Sequence, residues 1–264
     1  YRARRQRQMC IRDRNIKVGD VLTTNKGSLF EIIEIKNSRN ISIKFLDKFN
    51  YIKTVTRGSI KSGFISNPYF PTVYRIGYLG VGYYKRSVNS KDLRVYKIWS
   101  SMLARCYNIK NNRFNSYGGI GINVCEEWHN FQKFAGWYYT QNFSENPEYQ
   151  LDKDILGENE KQYSPKFCRF IPYELNSMLS NTRKKEKAIP VGVSHDKVKK
   201  KYKAQFGKTF LGLYDDIDTA FYKYRDYKEK YIYDKANEYY AEGKICKDIK
   251  EGLLKYKVRR FTNF

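Results

Sequence analysis

The stretch that decides how this chain is read is VGVSHDKVKKKYKAQFGKTFLGLYDD, residues 191–216. It divides into three short β-prone runs, VGVSHD, KYKAQFG and TFLGLY. In the middle run, alternation places Tyr202, Ala204 and Phe206 on one face and Lys201, Lys203 and Gln205 on the other. From Asp216 onward, Ile217, Ala220, Phe221, Tyr224 and Tyr231 recur at helical spacing. The pattern predicts a β-β-β-α module over residues 188–240. Its apolar sheet face meets the helix, and the opposite face offers hydrogen-bond donors to a partner.

Charge points to the class of that partner. Residues 183–208 hold ten basic side chains, Arg183, Lys184, Lys185, Lys187, Lys197, Lys199, Lys200, Lys201, Lys203 and Lys208, against Glu186 and Asp196, a local charge of +8. The whole chain has 51 Lys and Arg against 27 Asp and Glu, a formal charge of +24. Residues 1–14, YRARRQRQMCIRDR, carry six Arg and one Asp without periodicity and resemble translated adapter or linker sequence. They are read as a non-native or disordered tract, and without them the other 250 residues still carry +19. That is more than solubility requires, and a polyphosphate rewards it through counterion release. The expected partner is double-stranded DNA, with no membrane and no small-molecule cofactor.

No apolar run approaches the roughly 20 residues needed to span a bilayer, and the arginine-rich start lacks the apolar core of a secretion signal. The five cysteines, Cys10, Cys106, Cys125, Cys168 and Cys246, are widely spaced and contain no CxxC pair. Together these features predict a soluble, cytoplasmic protein with reduced thiols.

Moving towards the N-terminus, Leu93, Tyr96, Trp99, Met102, Leu103 and Cys106 mark an amphipathic helix over Lys91–Tyr107. After the glycine-rich turn SYGGIGI, a second helix is expected from about Glu126, with Trp128, Phe131, Phe134 and Trp137 or Tyr138 on one face. YQLDKD, YSPKFCRF and PYELNSMLSN then read as strand, strand and helix, with Pro172 in the helix's first turn. Residues 15–75 contain four β-rich runs, VLTT, LFEIIEIK, ISIKFLD and YIKTVT, and predict a small β-barrel closed by Pro68 and Pro71. The Gly/Tyr-rich stretch 74–90 reads as a linker, and residues 241–264 as a basic C-terminal tail. The fold class expected is α+β: a small barrel, a central helical region with a ββα unit over 91–182, and a three-stranded sheet plus helix.

GV at 192–193, KYKAQF at 201–206, LGLYD at 211–215 and the Ala-containing helix resemble the ethylene-response-factor (APETALA-type) DNA-binding domain over about fifty residues. The resemblance implies that the sheet enters the major groove with Ser194, Lys203, Gln205, Phe210 and Leu213 on the DNA side. Lys197, Lys200, Lys201 and Lys208 flank that surface, as do Arg183, Lys184 and Lys185. The arginines and tryptophans usual in that family are missing. The span from YKIWSSMLARCYN through YGGIGINVCEEWHNF to LDKD and YSPKFCRF resembles HNH endonuclease-like proteins of phages and mobile elements. That resemblance implies one divalent metal, Mg²⁺, held by Asp152 and Asn176, with Lys153 where a histidine would activate water. Lys153 sits between Asp152 and Asp154, which favour its charged form and make it a poor base. His129 is the second candidate for a catalytic role. The barrel resembles Src-homology-like barrels, a fold reused too widely to indicate a function.

Three readings stay open at this point. The first is a modular DNA-binding protein of HNH lineage that docks on duplex DNA through the C-terminal sheet. The second is an active Mg²⁺-dependent endonuclease or nickase. The third is an assembly protein whose charge counters packaged nucleic acid.

Overall fold

The computed structural model describes residues 15–157, 160–179 and 189–260. The expectation for residues 1–14 lies outside them. The chain divides into two compact units between Tyr83 and Tyr84, and several small sheets alternate with helices in a mixed α/β arrangement.

The first unit is an antiparallel meander of β1 (Val21–Thr23), β2 (Leu29–Asn37), β3 (Asn40–Phe45) and β4 (Ile52–Val55). Its inward face carries Phe30, Ile32, Ile41, Ile43, Phe45 and Val55, and Ile60 and Ile65 pack over them. Ile60 belongs to the short helix α1 (Arg57–Ser62), which Thr56 caps by accepting from the Ser59 amide. The helix stops at Gly63, whose φ of 69° is left-handed. The expected barrel does not close, because the sheet runs in sequence order and β1 and β4 do not pair. The two edge strands are three and four residues long. Side chains from α1 and residue 65 cover the core where a barrel needs further strands.

Part of the expected linker is folded as well. Tyr78 packs its ring against Phe49 and Tyr69 at 5.2 and 5.8 Å, and the Gly80 amide donates to the Pro68 carbonyl. The second unit begins with Tyr84, whose backbone exchanges two 2.9 Å hydrogen bonds with the Gln132 side chain. A hairpin of β5 (Ser87–Val88) and β6 (Lys91–Asp92) follows, turning on Asn89 and Ser90, both at positive φ.

Helix α2 (Arg94–Tyr107) buries Tyr96, Trp99, Met102, Leu103 and Cys106, as its spacing predicts. Strand β7 (Asn123–Val124) leads to a 3₁₀ turn, Glu126–His129, and only then to α3 (Phe131–Thr140). The second helix therefore starts five residues later than expected, at the Asn130 cap, whose side chain accepts from the Gln132 amide. The two helices pack through Tyr96, Trp99 and Phe131, and Trp99 Nε1 donates to the Trp128 carbonyl at 2.7 Å.

Strand β8 (Tyr149–Asp152) is followed by β9 (Gln162–Tyr163), which pairs in parallel with β7, and by β10 (Arg169–Pro172), which pairs antiparallel with β8. YSPKFCRF is thus two strand ends joined by a turn rather than one strand. Helix α4 (Tyr173–Leu179) follows immediately, so Pro172 ends the strand instead of opening the helix. The order β8, β10, α4 is a ββα arrangement.

The antiparallel sheet β11 (Val193–Asp196), β12 (Lys201–Phe206) and β13 (Thr209–Tyr214) packs on α5 (Ile217–Ala241). Asp216 caps α5 by accepting from the Thr219 amide at 2.7 Å. The first half of α5 buries Ala220, Phe221 and Tyr224 against Val193 and Ala204. Its second half buries Ile232, Ala236 and Tyr239 against Ile171 and Leu175 of the ββα arrangement. Residues 241–264 are not a tail up to Arg260. Helix α6 (Lys247–Leu254) contributes Ile249 and Leu253 to the same cluster, and Val258 joins the core beneath the sheet. Beside the basic end lies a weak helical pattern, and Ile245, Ile249, Leu253 and Val258 in this segment have enough apolar area to dock. No helix among the described residues is long and apolar enough to cross a membrane.

Gly192 shows how closely this sheet lies on its helix. Its φ is +77°, and a Cβ there would sit 2.1 Å from the Tyr224 ring. Gly192→Ala is therefore expected to lose about 2–4 kcal/mol in urea unfolding, from backbone strain and overpacking together. A variant as stable as the parent would disprove this packing.

Candidate functional site

The outer face of the β11–β13 sheet gathers the side chains singled out in the sequence. Cross-strand register puts Ser194, Lys203 and Leu213 in one row and Gln205 and Phe210 in the next. Strict alternation back from Leu213 would turn Phe210 towards α5. A bulge prevents this: Ala204 pairs with Gly212 and Gln205 with Phe210, leaving Leu211 as the extra residue. Gly212, at φ +135°, supplies the backbone conformation the bulge requires. Leu211 consequently packs with the core, and Phe210 is left 58% exposed.

Lysines frame this face. The β11–β12 turn holds Lys197, Lys199 and Lys200, all exposed. Asp196 shapes the turn by accepting from the Val198 and Lys199 amides at 3.0 Å each. These amides hold its carboxyl below the usual range. Lys208 occupies the β12–β13 turn beside Gly207, which has a φ of 55°. The Lys203 ammonium stands 5.8 Å from the Phe210 ring centroid, and Gln205 Nε2 donates to the Gly207 carbonyl at 2.8 Å. Lys201 is drawn to Asp215 at 3.1 Å, so its charge is partly spent within the protein. Lys199, outside the set of flanking lysines expected from the sequence, lies in the same exposed turn. Arg183, Lys184 and Lys185 fall outside the described residues.

The ββα arrangement places the other candidates differently. Asp152 is buried at the end of β8, and its Oδ1 accepts from the Asp154 and Ile155 amides at 2.9 Å each. It therefore closes the loop that follows. Burial, with the neighbouring Asp154 carboxylate, pushes its carboxyl up to about 6. Asn176 donates to Gln150 Oε1 at 2.9 Å, two residues along β8 from Asp152. The buried Lys153 ammonium is bonded to the exposed Asp154 carboxylate and lies 5.9 Å from the Tyr163 ring centroid. Lys153 is thus engaged by Asp154 and Tyr163. His129 ends the 3₁₀ turn, with Nε2 at 3.1 Å from the Val124 carbonyl and 3.4 Å from the Tyr107 hydroxyl, which ties it to β7 and α2.

These residues do not fit a Mg²⁺ site. One oxygen of Asp152 is committed to the backbone, the Asn176 amide is turned to Gln150, and a buried ammonium neighbours the carboxylate. Among the described residues, no three His, Cys, Asp or Glu side chains gather as metal ligands would. Cys106 and Cys168 are buried free thiols, and burial pushes the Cys106 thiol up to about 11. One feature had no signal in the sequence. The Arg105 guanidinium lies 5.0 and 5.6 Å from the rings of Tyr117 and Tyr163, with its shielded Nε making no hydrogen bond among the described residues.

Set against protein-family models, curated proteins and solved structures, the chain gives no match in any of the three.

The raised Asp152 carboxyl has a consequence for stability. Folding favours its protonated form, so its contribution is greatest below about pH 4 and is lost as pH rises through about 6. Asp152→Asn keeps an oxygen for the two amides and removes the charge. Its stability relative to the parent should rise by up to about 3 kcal/mol between pH 3.5 and 7.5, read from paired urea titrations. A pH-independent difference would show that Asp152 is not desolvated as described.

Proposed function

We propose that the chain is a DNA-binding protein that docks on duplex DNA through the outer face of β11–β13. The observation that carries this reading is that Ser194, Lys203, Leu213, Gln205 and Phe210 lie in two adjacent rows framed by the turn lysines 197, 199, 200 and 208. A twisted antiparallel sheet of this width fits the major groove. There Lys203 and Gln205 can donate to base edges while the turn lysines neutralise phosphates on either side. The +19 charge of residues 15–264 supports the same partner by supplying long-range attraction. The resemblance to HNH proteins of phages and mobile elements supports a place in that lineage. The ββα arrangement then serves as a scaffold for the sheet and its helix.

The endonuclease reading is supported by the β8–β10–α4 order, but its metal and base residues have the other partners described above. Supercoiled plasmid incubated with the full chain in Mg²⁺ or Mn²⁺ should stay supercoiled. Nicking that disappears in Asp152→Ala would reverse this assignment.

The binding reading is tested by duplex affinity against salt. Affinity should fall steeply between 50 and 200 mM salt, by about 10³-fold if roughly six phosphates are neutralised. Lys200→Gln should lower the slope of log affinity against log salt by about 1, since it removes one phosphate contact. A shallow slope in the parent would refute docking by this surface.

A further inference from the structure

The outer face of the sheet has a composition that favours one kind of base pair. Residues 189–224, which include all three strands, contain no arginine. The planar fork that pairs guanine O6 and N7 in two hydrogen bonds is therefore missing where the bases would lie. Lys203 offers a point charge instead, and its ammonium stands over the Phe210 ring. The remaining side chains are an amide, Gln205, a hydroxyl, Ser194, and two apolar groups, Phe210 and Leu213.

Phe210 and Leu213 are the informative pair. Phe210 is 58% exposed, and the Gly212 bulge is what turns it away from the core. Leu213 lies in the adjacent row beside Lys203. In the major groove, the only apolar group that a base pair presents is the thymine C5-methyl. Against G·C pairs these side chains would cover polar edges and leave hydrogen-bonding groups unmatched. Against A·T pairs they meet methyl groups. The neighbouring Gln205 amide gives one Nε2 hydrogen to the Gly207 carbonyl and keeps its second hydrogen and Oε1, the donor and acceptor that adenine N7 and N6 require.

We propose that this face reads A·T base pairs, with Phe210 and Leu213 against thymine methyl groups and Gln205 on a neighbouring adenine. The proposal rests on the reading of the sheet as the DNA-docking surface. Readout of the methyl groups is direct, through the major groove, and so is separable from the narrow minor groove that A·T tracts also have.

The test uses the full chain and three labelled duplexes of equal length at one salt concentration, followed by fluorescence anisotropy. One is alternating A·T, the second has deoxyuridine for every thymidine, and the third is alternating G·C. The A·T duplex should bind at least about twentyfold more tightly than G·C, which lacks both methyl groups and mismatches Gln205. Each methyl lost on changing thymine to uracil should weaken binding about fourfold. Phe210→Ala should shrink the thymine–uracil difference without changing the salt slope, and because Phe210 is outside the core this variant keeps its fold. Equal affinity for the three duplexes, a preference for G·C, or a thymine–uracil difference untouched in both Phe210→Ala and Leu213→Ala would overturn the base preference while leaving DNA docking in place. Failure to bind any duplex would instead overturn the docking reading, and this proposal with it.

Discussion

The second unit depends on one shared element, the 25-residue helix α5. At about 1.5 Å per residue it is roughly 37 Å long, and two cores are built along it. Ala220, Phe221 and Tyr224 hold the sheet, while Ile232, Ala236 and Tyr239 hold β10 and α4 through Ile171 and Leu175. A two-stranded sheet such as β8–β10 is marginal alone, and it and the three-stranded sheet both bury their apolar faces on α5. Each is completed by the same helix, so packing joins them.

The C-terminal segment reinforces that joint. Ile249 and Leu253 of α6 pack with the second half of α5, and Val258 packs with the first half. Tyr256 touches both clusters, and its ring lies 5.6 Å from the buried Lys228 ammonium. Burial lowers the Lys228 amine to about 8. The Arg169–Asp248 pair at 2.8 Å ties β10 to α6, and the Tyr149 hydroxyl donates to the Lys244 carbonyl at 2.9 Å. A surface presented by the sheet is thereby fixed in direction by much of the second unit. Preorganisation of this kind lowers the ordering cost of binding.

The turn that follows β8 is instructive in the same physical terms. A carboxylate at the end of a strand can hold a cation or close a loop, and both uses draw on the same two oxygens. In this protein the Asp154 and Ile155 amides occupy Oδ1, and Lys153 lies buried against Tyr163. The position of Asp152 and Lys153 in the ββα order was legible in the sequence. The loop closure by Asp152 is a local Asp turn, but the burial of Lys153 against Tyr163 and the turning of Asn176 to Gln150 join residues that no spacing rule links.

By itself the sequence determined the local elements and their faces. The four strand runs of residues 15–75, the helix bearing Trp99 and Met102, and the alternation of Lys201 to Phe206 all follow from periods of 2 and 3.6 residues, which act within a single element. It determined the concentration of positive charge as well. The tertiary structure decided what those elements do together. The meander stays open because α1 and Ile65 cover its core, the supposed tail docks because α5 has apolar positions to spare, and Phe210 faces outward because one extra residue at Leu211 resets the pleat. The physical reason is common to all three. Whether an apolar residue is buried, and on which face, is settled by the elements that come to cover it, and those arrive from distant parts of the chain.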